Sequence, residues 1–188
     1  MDVFKAIQER HSVRSYIPDS IPTSKLLRIL ESARLAPSAA NIQPWHFIIV
    51  SDHQKREALS KSGMFARFLS DSPVVIVGCG NRKASRWYIV DTTIAMQNMV
   101  LAATAEELGT CWVGSFDEEH VRKLLKIPEQ FSVIAMIAIG RAREESDLAG
   151  AILHFFRRRK PLKEIASIDE FGNSYGGSMD STTAVNSQ

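Results

Sequence analysis

Cysteine is scarce. Cys79 and Cys111 are the only two in 188 residues, they form no CxxC, and no histidine stands beside them. That excludes a disulfide-stapled scaffold and a thiolate zinc site, and it favours two small buried hydrophobes in a reducing compartment. The histidines at 11, 46, 53, 120 and 154 show no HExxH or other ligand spacing, so no metal site is expected. GxSxG and Walker A stretches are also absent. No sign of charge dominates: 23 Lys and Arg face 21 Asp and Glu, a formal net of +2. A uniformly basic nucleic-acid binder is therefore disfavoured. The longest apolar run, Val133 to Ile139, is far too short to span a bilayer, and Met1-Asp2-Val3-Phe4-Lys5 lacks a signal-peptide pattern. These absences predict a soluble, cytoplasmic chain with no membrane and no nucleic-acid partner.

What is present is enough apolar material, 45%, for a sizeable single core. Asp2 caps a first helix to about Glu9, and Arg10 to Tyr16 reads as extended. Thr23 starts a helix to about Arg34, and Ala36 to Pro44 is a loop of small, hydrogen-bonding residues. Strands are expected at 47–50, 73–78, 110–114 and 132–140. Helices are expected at 53–69, 117–126 and 91–108, the last closed by Gly109 as its C-terminal glycine. By residue pattern alone this is one domain of helices around a mixed sheet, spanning 1–170, with a polar Gly/Ser/Thr-rich tail at 171–188.

Three stretches carry candidate chemistry. Arg10, Ser12 and Arg14 alternate along one extended segment, so their side chains share a side and suit an anionic ligand such as phosphate. The other reading of this segment is a solvated edge strand. Pro37, Ser38, Ala39 and Asn41, followed by Gln43, permit close approach of a flat ligand and offer donors and acceptors. Arg157 and Arg159 repeat the two-residue spacing inside a run of four cations, which by itself reads as a solvated face. Gly78-Cys79-Gly80 follows a strand, but position 83 is Lys83 and no acidic residue stands at the required distance. A Rossmann dinucleotide site is therefore rejected.

Taken in order, Arg10-His11-Ser12-Val13-Arg14, the segment from Ala36 to Phe47, Gln97-Asn98 in the Asp91 helix, Leu108-Gly109-Thr110, Gly114-Ser115-Phe116 and Arg157 to Leu162 resemble the nitroreductase family. The resemblance implies an α+β fold with a mainly antiparallel central sheet, in an intertwined homodimer with FMN at its interface. It implies that Arg10, His11, Ser12 and Arg14 hold the ribityl phosphate and flavin edge, with Arg157 and Arg159 completing the phosphate site. Pro37, Ser38, Ala39 and Asn41 would approach the same flavin from the other subunit. Arg67 matches a basic position near the pyrimidine ring, and Gly114 and Ser115 match backbone amides facing the ring's N5 and O4 region. The implied activity is ping-pong transfer of a hydride from NAD(P)H, NADPH included, to a nitroaromatic, quinone or similar small-molecule acceptor. No side-chain acid or base is required, because the flavin carries the chemistry. Trp87 or Tyr88 could line the acceptor pocket or pack in the core. The competing functions are a non-catalytic flavin sensor or carrier, and a nucleic-acid module built on Arg157 to Lys160.

Overall fold

Val74-Val75-Ile76-Val77 is apolar at every position, so a strand here must be covered on both faces. The computed structural model, which describes residues 1–143 and 159–173, places it at the centre of a four-stranded sheet. The strands are β1 (Trp45–Val50), β2 (Val74–Asn81), β3 (Gly109–Val113) and β4 (Phe131–Gly140), in the order β1-β2-β4-β3. All three pairings are antiparallel, so the mixed sheet expected from residue pattern gives way to the mainly antiparallel one implied by the resemblance. The parallel element is one isolated bridge, Ser12 to Thr110. The chain divides into two compact units, Met1–Asp147 and Leu148–Gln188, and the sheet lies wholly in the first.

Period-two alternation distributes β2 between two cores. Val75, Val77 and Cys79 join Leu59, Leu69, Val121 and Ile127 on one face, beneath α3 (His53–Ser60) and α5 (Glu118–Leu125). Val74 and Ile76 join Ile29, Ala33, Met96, Met99 and Val100 on the other, beneath α2 (Thr23–Arg34) and α4 (Tyr88–Ala105). A bulge between Gly78 and Cys79 leaves Ile134 of β4 without a register partner. Its extra residue switches the alternation of β4, so Val133 and Met136 face the same core. At Gly78 the central helix approaches so closely that a Cβ would lie 2.2 Å from Met96 Sδ. Met96 is fully buried, so it cannot move aside into solvent. Gly78→Ala should therefore destabilise by about 1–3 kcal/mol, read as a lower thermal midpoint of the apoprotein.

The first helix, α1 (Val3–Glu9), takes Asp2 as its cap, with the Asp2 carboxylate accepting from Lys5 N–H at 3.1 Å. At α2 the expected Thr23 cap is replaced by Pro22, which has no side-chain cap bond. Two expectations need correction. The helix expected over 53–69 ends at Ser60, with only a 3-10 turn at Arg67–Leu69. Its cause is tertiary: Asp117 N–H donates to Ser62 O at 2.7 Å, holding the intervening residues in a turn. Nor does Gly109 close α4. Glu107 takes the left-handed conformation (φ 63°) and Gly109 is already the first residue of β3. Arg28 then forks onto the Glu106 carboxylate at 2.6 and 2.7 Å, tying α2 to the end of α4.

Both cysteines are buried, as the sequence suggested. No helix among the described residues is long and apolar enough to cross a membrane. In the second unit, Leu162–Ile165 forms one helical turn, followed by a turn in which Gly172 (φ 92°) donates to Ser167 Oγ at 3.1 Å. Residues 174–188 of the polar tail lie outside the described residues.

Candidate active site

The segment after α1 meets the edge of β3 at Thr110 and then pairs with the residues that follow β4. Val13 N–H donates to Thr110 O at 2.9 Å, and the buried Tyr16 hydroxyl donates to Val13 O at 2.6 Å. A bridge from Tyr16 to Ala142 fixes the far end. Burial pushes the Tyr16 phenol well above its ordinary value, so it stays neutral and keeps donating. Val13 and Tyr16 are thus turned into the core, while Arg14 is exposed and Arg10 and Ser12 are half-buried.

Arg10, Ser12 and Arg14 gather over Cys111. Burial pushes that thiol up, and Arg14, the Ser12 hydroxyl and Arg10 pull it the other way. Burial pushes Cys79, on the far side of β4, up to about 11, with Arg122 opposing and Glu118 adding to the rise. Neither thiol has the depressed value of a nucleophile. His11 points elsewhere: its Nδ1 lies 2.9 Å from Glu9 O, at the end of α1.

Arg14 also lines a pocket of about 380 Å³ at the C-terminal end of β3, with Arg67, Gly114 and Ser115. Its apolar walls are Met64, Phe65, Phe68 and Trp112, and its lining holds no carboxylate. Among the described residues no acidic side chain pairs with Arg10, Arg14 or Arg67. A Cβ added at Gly114 would meet nothing within 4 Å, so the backbone there faces open space. The Gly114 and Ser115 amides find no backbone acceptor among the loop bonds of the described residues. They precede Asp117, which caps α5 by accepting from His120 N–H at 3.1 Å. Two cations, two free amides and an aromatic wall suit a flat, electron-rich ring with an anionic substituent.

Met64, Phe65, Phe68 and Trp112 are site residues that the sequence did not single out. Gly63 is a further one, since a Cβ there would lie 2.4 Å from Ser115 O. A larger cavity of about 620 Å³ lies beside α2 and α3, but its arginines and Asp19 are already engaged internally. Arg56 donates to the Ser70 and Ser72 carbonyls, Arg143 to Tyr16 O, and Arg141 pairs with Asp19 nearby.

The loop with Pro37, Ser38, Ala39 and Asn41 is not at this pocket. It enters β1, where Trp45 pairs with Gly80, whereas Gly114 follows β3. Both lie at the same end of the sheet but at opposite edges, with β2 and β4 between them. In the loop Ser38 Oγ accepts from Gln43 N–H at 2.9 Å, and Ala39 N–H donates to Asp91 Oδ1 at 3.3 Å. Trp87 and Tyr88 begin α4 near this loop, away from the Arg14 pocket. Tyr88 packs against Gly80, and Arg86 lies 5.0 Å over the Trp87 ring. Arg159 is an exposed residue of the second unit, and Arg157 lies outside the described residues.

The α+β scaffold thus carries a donor-rich pocket whose lining holds no carboxylate, set against aromatic side chains. The chain belongs to the nitroreductase family: its sequence matches the description "Nitroreductase family" over residues 7–64 and 58–141. It is 34% identical over 154 residues to the "Putative NADH dehydrogenase/NAD(P)H nitroreductase" of Archaeoglobus fulgidus, covering 78% of this chain and 88% of that one. Among solved structures, a nitroreductase family protein from Clostridium novyi superposes with a TM-score of 0.74 at 28% identity, over 97% of this chain and 99% of that one. An FMN-dependent nitroreductase from Clostridium difficile gives 0.71 at 29% identity, covering 84% and 98%.

Proposed function

We propose that this chain is an FMN-dependent oxidoreductase that uses NAD(P)H to reduce nitroaromatic, quinone or similar acceptors. The observation that carries the reading is the convergence of Arg14, Arg67, Gly114 and Ser115 on one pocket with an aromatic wall. When bound, FMN would supply the redox chemistry, a ping-pong exchange of hydride between NAD(P)H and the acceptor in the same pocket. Arg10, Ser12 and Arg14 hold the phosphate end, where guanidinium forks match anionic oxygens. Arg67 and the Gly114 and Ser115 amides favour the electron-rich form of the ring by placing positive charge and donors beside it. Met64 and Phe65, 80% and 72% exposed on the pocket wall, would offer the ring apolar contact.

The working molecule is a homodimer in this reading. The Pro37–Gln43 loop and the pocket occupy opposite edges of one sheet, so a loop that reaches a flavin must reach the partner's. Exposed Phe4 and Ile7 on α1, together with Ile89, Val90 and Ile94 on the neighbouring α4, supply an apolar surface for association.

The purified protein should be yellow, release FMN and not FAD on heating, and run as a dimer by light scattering. Anaerobic titration with NADH and with NADPH should bleach the flavin band, and a nitroarene should restore it. FAD on chromatography, or a monomer that retains full flavin, would overturn the reading. Bound flavin that no nicotinamide reduces would make the protein a carrier.

A further inference from the structure

Asp91 is buried, 4% exposed, and its Oδ2 has no hydrogen-bond partner among the described residues. It stands in the first turn of α4, where the helix dipole favours a carboxylate. That accounts for the charge but not for the direction of the side chain. An ionised carboxylate offers about four acceptor sites, and Asp91 uses one of them, from Oδ1 to Ala39 N–H at 3.3 Å. Burying a carboxylate with so little compensation is unfavourable, so something other than fold stability accounts for it.

The loop that it holds is itself strained. Ala40 (φ 49°), Asn41 (φ 55°) and Gln43 (φ 53°) all adopt the left-handed region without being glycine. Such conformations persist only where the surroundings over-determine them, and they gather at ligand clamps. The loop's other side-chain bonds are internal: Ser38 Oγ from Gln43 N–H, and Gln43 Nε2 to Asn41 O at 3.2 Å. Among the described residues, Asp91 is the one side chain of another element that bonds this loop.

We infer that Asp91 is a positioning residue for cofactor binding, anchoring Ala39 to α4 so that the strained Pro37–Gln43 loop is held in its binding shape. The inference rests on the proposed FMN reading and adds to it a residue that acts through its bond to the loop. Because the Asp91 carboxylate is under-satisfied, its removal relieves the apoprotein while loosening the loop. Binding and stability then move in opposite directions, or binding moves alone, which a purely structural carboxylate would not do.

The test is FMN titration of the apoprotein by fluorescence quenching, with a thermal melt of each apoprotein, for Asp91→Ala, Asp91→Asn, Ala39→Pro and the Asp91→Ala/Ala39→Pro double variant. Ala39→Pro removes the N–H from the other side of the same bond, and extended Ser38 (φ −145°, ψ 156°) tolerates a following proline. Asp91→Ala and Ala39→Pro should each weaken FMN by about tenfold or more with the melting midpoint held or raised. The double variant should be no weaker than the worse single one, since both cut one bond. Asp91→Asn keeps an acceptor oxygen and should recover part of the loss. Unchanged affinity in Asp91→Ala, or additive losses in the double variant, overturns the inference. Melting losses that match the binding losses in both single variants, or failure of both to fold, makes the bond structural and also overturns it. A wild-type protein that binds no FMN sinks the functional reading itself, a result distinct from all of these.

Discussion

Arg14→Ala should weaken FMN binding by about 30-fold or more while leaving the apoprotein's thermal midpoint nearly unchanged. Arg14 is exposed and makes no ion pair with another described residue, so the fold does not lean on it. A phosphate dianion entering the site is desolvated, and deleting one partner of such a buried pair costs roughly 2–5 kcal/mol. That range corresponds to about 30- to 5,000-fold in affinity. Arg10 and Arg67 stand nearby to share the load, which places the effect toward the lower end. Arg14→Lys should recover only part of the loss, because a point charge replaces a planar fork. Fluorescence quenching on the apoprotein measures the affinity and a melt measures the fold. Unchanged affinity removes Arg14 from the site, and an equal loss of stability makes its role structural.

Gly63→Ala should damage the same pocket from behind. The new Cβ would sit 2.4 Å from Ser115 O, a backbone atom, so one of the two turns must move. The turn after α3 is fixed by Asp117 N–H on Ser62 O, and Asp117 is itself pinned as the cap of α5. The strain therefore falls on Gly114 and Ser115, the segment whose amides face the pocket. Overpacking of this kind costs about 1–3 kcal/mol, divided between a lower melting midpoint and weaker FMN binding. We expect at least a tenfold rise in the FMN dissociation constant. A variant with wild-type affinity and wild-type melting would show that the close approach is not maintained in solution.

The parts of the site legible in the sequence are those that depend on local spacing. Arg10, Ser12 and Arg14 were readable because a two-residue period fixes side-chain direction in an extended segment, whatever lies around it. The small-residue loop from Ala36 to Pro44 was readable from composition. What composition does not encode is that Ala40, Asn41 and Gln43 are left-handed, since none is a glycine and the conformation is held by neighbours. The residues from Gly63 to Phe68 were hidden for a related reason. Their apolar spacing continues the helical pattern of α3, and the break at Ser60 comes from a hydrogen bond to Asp117, over fifty positions away. In the same way Gly109 offered the usual helix-ending residue, and tertiary packing placed the left-handed turn at Glu107 instead.

The segment that presents Arg10, Ser12 and Arg14 has a second consequence through its seat on β3. That strand ends the sheet, and an uncovered edge is a template on which another chain can add a strand. The Val13 to Thr110 bond and the Tyr16 to Ala142 bridge lay the segment across that boundary. In the proposed reading, the stretch that recognises an anion therefore also covers part of that edge, at Thr110. Changes that loosen its backbone weaken both roles together, whereas changes confined to its outward side chains reach only the ligand.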